Sequence, residues 1–163
     1  MLLALFLLAG ITRLQAQQQD YDTVPPYKKN PHIPQFQLLQ PDSTWFSSSA
    51  IPKNRPVVIM YFNPDCGHCQ LEAKNIATHM DELKKAYFVL VSYHSPGAID
   101  TFVHEYKLDQ FTNIRYGRDT KYYIPSYFRV KFTPFLAVYN KKGLLQKTFE
   151  TGAEPDELVS LLK

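Results

Sequence analysis

An order of β-α-β-α-(α)-β-β-α along the chain predicts an α/β fold with a central mixed β-sheet flanked by helices. Two pairs of segments carry that prediction. Val57-Val58-Ile59-Met60-Tyr61-Phe62 and Tyr87-Phe88-Val89-Leu90-Val91-Ser92-Tyr93 are continuous runs of apolar, β-branched and aromatic residues; short runs without alternation read as strands buried on both faces. Phe135-Leu136-Ala137-Val138-Tyr139 and Leu144 to Glu150, separated by Asn140-Lys141-Lys142-Gly143, read as a hairpin with glycine at a bulge. A chain of 163 residues, 45% hydrophobic and 20% charged, holds one compact domain with a real core. That balance fits neither a disordered tail nor a polytopic membrane protein.

From the N-terminus, Met1 to Ile11 is almost wholly apolar and ends before Thr12, Arg13 and a Gln-rich run. It is shorter than the roughly 20 residues a membrane span needs. With Ala16 as the small residue at the cut, residues 1–16 read as a secretory signal peptide, although no basic residue precedes the apolar run. Export to the periplasm or another extracytoplasmic space is expected, with no stable membrane span after cleavage. Residues 17–34 read as an extended lead-in: seven of the 12 prolines fall at or before Pro56, a density that forbids helix. The domain proper is set at 35–163, with Phe36, Leu38 and Trp45 marking one or two short edge strands.

After the first buried strand, Asn63-Pro64-Asp65 is a loop, and Cys66 to about Lys85 reads as a helix with Leu71, Ile76, Met80 and Leu83 on its apolar side. Ser95-Pro96-Gly97 starts a further helix through about Lys107, with Pro96 suited to a first turn. Asp119 to Arg129 is Tyr-rich and reads as a short helix broken by Pro125. The cluster of Tyr116, Tyr122, Tyr123 and Tyr127 in and just before it reads as packing residues, or as the rings of a partner surface. The last helix opens at Glu154-Pro155-Asp156-Glu157, with acids at its N-terminus and Lys163 at its end. A formal net charge of +3, with Lys and Arg scattered, excludes an electrostatic footprint for nucleic acid. No heptad or long apolar edge is evident, and a monomer is expected.

The chain has two cysteines, Cys66 and Cys69. A bridge closing about four residues contributes only about 2 kcal/mol by loop entropy, against about 3 for a fifteen-residue loop, so the spacing is a poor structural staple and a good reactive one. The pair stands where a buried strand ends and a helix begins, and the positive end of the helix dipole holds the first thiol as thiolate. Lowered pKa also lowers nucleophilicity, leaving roughly a twofold gain in attack; the larger effect is on Cys66 as leaving group and on the redox equilibrium. His68 pushes toward a more oxidising pair, and Asp65 opposes it by charge. Zinc is disfavoured, because a structural site needs four ligands, there is no second cysteine pair, and His32, His79, His94 and His104 show no ligand spacing. His94 reads as a loop residue. Phe132-Thr133-Pro134-Phe135 is a second signal: a Thr-Pro pair opening a strand can hold a cis bond and present free backbone beside the sulfurs.

From about Phe36 to Lys163 the strand, Cys66-Gly67-His68-Cys69, helix, strand, Thr133-Pro134, hairpin, Gly152 and last helix follow in the order of the thioredoxin superfamily, which the chain resembles. Within it, Glu72 three residues after Cys69 and the extended lead-in resemble the exported TlpA/ResA-type thiol-disulfide oxidoreductases. The resemblance implies a thioredoxin-like fold with Cys66 as nucleophile, Cys69 as resolving thiol and Glu72 assisting proton transfer. It makes Thr133-Pro134 the cis turn that docks substrate backbone, with Gly67 beside it, while Gly67-His68 looks like the dipeptide of disulfide isomerases. Protein thiols and disulfides are the implied substrates and a second redox protein the recharging partner; no metal or bound cofactor is implied beyond the Cys66–Cys69 disulfide. Three positions depart from the pattern: Met60 stands in place of a buried Asp, Lys74 in place of a helix-kinking Pro, and Asp65 in place of a Trp. Two alternatives share the fold. A copper-binding assembly factor would use two thiolates and a histidine, but its spacing is CxxxC; a thiol peroxidase would carry Thr three residues before Cys66, where Asn63 stands.

Overall fold

The computed structural model describes residues 23–163, so the 1–16 segment and the first part of the lead-in lie outside it. The described residues form a seven-stranded mixed sheet. Its strands are β1 (Gln37–Leu39), β2 (Trp45–Ser47), β3 (Val57–Tyr61), β4 (Tyr87–Ser92), β5 (Ile114–Arg118), β6 (Phe135–Tyr139) and β7 (Leu145–Phe149), in the order β2-β1-β5-β4-β3-β6-β7. β3, β4 and β5 run parallel; on the other side of β3, β6 pairs antiparallel with β3 and β7 antiparallel with β6. The α/β architecture with a central mixed sheet is as the sequence predicts.

β3, β4 and β6 are buried at every position, which is why they read as unbroken apolar runs. Alternate side chains serve two cores. Val58, Met60 and Phe62 pack on one face against α2 (Gly67–Thr78), α4 (Pro96–Glu105) and α6 (Pro155–Leu161). Val57, Ile59 and Tyr61 pack on the other with α5 (Tyr123–Phe128) and the segment around Tyr27 and Ile33.

Four expectations are corrected. The lead-in is not wholly extended: α1 (Pro26–Lys29) is a helical turn with Pro26 at its first position, where a missing N–H costs nothing. The long helix from Cys66 is two, α2 and α3 (Met80–Leu83), parted at His79. There Thr78 Oγ1 and His79 Nδ1 lie 2.8 and 2.9 Å from the Lys74 and Asn75 carbonyls, and such bonding to carbonyls four residues back loosens a helix end. Leu71 is exposed, since the buried stripe of α2 runs through Cys69, Glu72, Ala73 and Ile76. Pro125 does not break α5; it occupies the first turn, where no helical N–H bond is lost. α2 continues unbroken past Lys74, the position of the missing proline.

Candidate active site

The loop after β3 is shaped by Asn63, whose Oδ1 accepts the Asp65 N–H at 2.9 Å and whose carbonyl accepts the Cys66 N–H at 3.1 Å. These bonds set Cys66, in extended backbone, as the N-cap of α2. The first turn of α2 then aims its free N–H groups at the Cys66 sulfur. Burial pushes the Cys66 thiol up, but the Cys69 backbone N–H, the Thr133 side chain and the His68 N–H outweigh it, and the thiol titrates below its ordinary value. Cys66 is half-buried and Cys69 fully buried, and both are free. Burial pushes the Cys69 thiol up to about 12, against the opposing Asn63 N–H, which donates to Cys69 Sγ at 3.5 Å. The two sulfurs are therefore unlike: one half-buried and titrating below its ordinary value, one hidden and held as thiol.

Thr133-Pro134 is a cis peptide bond, and the Cys66 thiol donates to the Thr133 carbonyl at 3.4 Å. Pro134 is buried and opens β6. Glu72 lies one turn beyond Cys69 on the same side of α2 and is 4% exposed. Burial raises its pKa to about 7, partly offset by the Ala153 N–H that its Oε2 accepts at 3.0 Å and reinforced by Glu154. Gly152 lets the chain pass here: its φ is +102°, and a Cβ would stand 2.9 Å from Glu72 Oε2 and 3.4 Å from Pro134 Cγ. Of the two buried carboxylates among the described residues, Asp119 is occupied with the Lys121 and Ile124 N–H groups, leaving Glu72 beside the pair. Met60 is core.

The structure thus gathers Cys66, Cys69, Glu72, Thr133 and Pro134. Gly67, His68 and Asp65 are exposed around them, and the contact shown for His68 is through its backbone N–H. His94, after β4, packs against Tyr93 in a tilted arrangement with 4.3 Å between ring centroids. The four tyrosines do not form one group: Tyr116 donates to Asp100 on the α4 side, and Tyr127 donates to the Asn30 carbonyl on the opposite face. Asn63 is the residue missed, although an Asn two residues before an N–H it can cap is a legible turn signal. Among the described residues, no three of His, Cys, Asp and Glu group to hold a metal ion, and no helix is long and apolar enough to cross a membrane.

Against known sequences, the AhpC/TSA family matches residues 30–155, which takes in every residue of this site. The chain belongs to the AhpC/TSA family. No curated relative matches it. Among solved structures, this AhpC/TSA chain is similar to a secreted Mycobacterium tuberculosis disulfide oxidoreductase homologous to E. coli DsbE. Identity is 21%, over 78% of this chain and 94% of that one, with a TM-score of 0.66. It is also similar to the peroxidoxin BcpB of Mycobacterium tuberculosis, with 16% identity over 80% and 93% and a TM-score of 0.66. The exposed lipoprotein thioredoxin of Streptococcus pneumoniae matches with 20% identity over 79% and 98% and a TM-score of 0.61. These likenesses establish a thioredoxin-like fold. By family and fold this chain is a thioredoxin-like oxidoreductase.

Proposed function

We propose that this AhpC/TSA member is an exported thiol-disulfide oxidoreductase of the TlpA/ResA kind, exchanging disulfides with protein substrates through Cys66 and Cys69 and needing no bound cofactor. The asymmetry of the pair carries the reading: an accessible Cys66 thiol below its ordinary pKa stands against a buried Cys69 at about 12. The Cys66 thiolate attacks one sulfur of a client disulfide, forming a mixed disulfide and releasing a client thiolate that takes up a proton. Cys69 then gives its proton to Glu72 and attacks Cys66 Sγ. The second client thiolate leaves, the client is reduced by two electrons, and the Cys66–Cys69 disulfide is the oxidised product. A second redox protein restores the dithiol. The same steps reversed oxidise a client dithiol.

Replacing Cys66 with Ala abolishes exchange, and replacing Cys69 with Ala accumulates mixed disulfides with client protein, read by non-reducing electrophoresis; exchange intact in the Cys66 variant overturns the assignment. The potential of the pair sets direction. A value near about −270 mV makes it a reductase, and one near about −180 mV or above an oxidant or isomerase.

The family match favours one second reading, a thiol peroxidase in which the Cys66 thiolate attacks a peroxide oxygen. Asn63 in place of Thr opposes it, and peroxide consumption by the reduced protein separates the two.

A further inference from the structure

We propose that a cleft beside the cysteine pair receives the carboxylate side chain of an acidic residue flanking the client's cysteine; this rests on the thiol-exchange function proposed above. The cleft, of about 360 Å³, shares Asn63 and Thr133 with the redox site. Asn63 donates to Cys69 Sγ, and the Thr133 carbonyl lies 3.4 Å from Cys66 Sγ, so a chain engaged at Cys66 passes directly along it. Its walls are the exposed rings of Tyr93, Tyr122 and Phe132.

Two independent features select the occupant. The first is Tyr61, which lines the cleft at 3% exposure and whose hydroxyl has no hydrogen-bond partner among the described residues. Burial, then the neighbouring Tyr122 hydroxyl and Asp119, hold this phenol protonated, and no acceptor meets it in full hydrogen-bond geometry. A buried polar group left so is costly, and a ligand atom that accepts from it recovers that cost.

The second feature is charge. Lys131 lines the cleft and is exposed, and Arg118 is fixed alongside through its Nε bond to the Tyr93 carbonyl at 3.1 Å. Asp119, three residues before Tyr122, is buried with both oxygens occupied by backbone N–H groups, while the exposed Asp65, two residues after Asn63, stands on the Cys66 side of the cleft opposite Lys131 in sign. An apolar side chain in the cleft leaves the Tyr61 hydroxyl unpaired, and a basic one meets Lys131. A carboxylate satisfies both, while its methylene stem packs on the aromatic walls.

The test uses disulfide peptides identical except for Glu, Gln or Lys beside the cysteine, with second-order exchange rates measured at low and high salt. The wild-type protein is expected to react fastest with the Glu peptide and slowest with the Lys peptide. Tyr61→Phe, which keeps the ring in the core, is expected to slow the Glu peptide about tenfold and leave the Lys peptide unchanged. Lys131→Gln is expected to reduce the Glu preference about threefold, an effect that fades at high salt. Equal rates for the three peptides, or an equal loss for all three in Tyr61→Phe, overturn the cleft assignment alone. No exchange with any peptide overturns the thiol-exchange function and the cleft with it.

Discussion

Glu72 is the residue at which stability and chemistry meet. Its ionised form is penalised by burial, and a pKa raised from 4.5 to about 7 sets the sign of the pH dependence. Below about 4.5 the carboxyl is neutral in both folded and unfolded chains and costs nothing. As pH rises through about 7, the unfolded chain is ionised while the folded one must follow against burial, and stability falls by up to about 3 kcal/mol. Glu72→Gln keeps an acceptor for the Ala153 N–H and removes that penalty. The variant is therefore expected to unfold at nearly the wild-type temperature at pH 4 and clearly above it at pH 8, by thermal denaturation. A gap that does not widen between these values means Glu72 is not titrating in the folded protein. The same replacement removes the acceptor for the Cys69 proton, so the more stable protein is the slower one. In the sequence, Glu72 is legible only as a Glu one turn after the second cysteine; that the side chain turns inward depends on Gly152 and Ala153, some eighty residues on.

The elements most legible in the sequence are those whose side chains are all buried. β3, β4 and β6 announce themselves because both faces are covered, and Cys66-Gly67-His68-Cys69 falls at the junction that gives its N–H groups to a sulfur. β5 carries no such signature, for a reason in its own residues. Ile114-Arg115-Tyr116-Gly117-Arg118 buries only Ile114 and Gly117, and a glycine in a strand argues locally against one. Gly117 is there because β1 approaches closely: a Cβ would stand 2.9 Å from Leu38 Cβ and 2.9 Å from the Leu39 carbonyl oxygen. That neighbour lies nearly eighty residues earlier, so no local pattern reports it. Since both contacts are fixed to backbone, Gly117→Ala must push β1 off β5 and is expected to cost about 1–3 kcal/mol, read as a lowered urea midpoint. An unchanged midpoint would mean β1 does not pack where β5 lies beside it.

At the scale of the whole molecule, the segment before the first strand is part of the sheet's support. Tyr27 lies 5.4 Å from Phe128, and Phe128 5.2 Å from Phe135, so a line of rings runs from the lead-in through α5 to the strand that follows Thr133-Pro134. Hydrogen bonds reinforce it: the Leu145 N–H donates to the Pro31 carbonyl, the Ile33 N–H to the Gly143 carbonyl, and the Arg129 guanidinium to the Thr23 carbonyl. A spacer would make none of these bonds. Composition could not report this, because proline density is the same in a solvated spacer and in a strap whose prolines sit at a helix start and in a buried position. A chain beginning at Gln35 loses the half-buried Tyr27 and Ile33 and the buried Pro34, together with these hydrogen bonds. It is expected to be about 2–4 kcal/mol less stable, with a lower urea midpoint and nearly the same denaturant slope. Its loss falls on α5, which carries one wall of the cleft at its N-terminal end, so the truncated chain should also lose discrimination between acidic and basic peptides before it loses exchange at Cys66. Full stability and unaltered discrimination in the truncated chain would return the segment to the role of a tether.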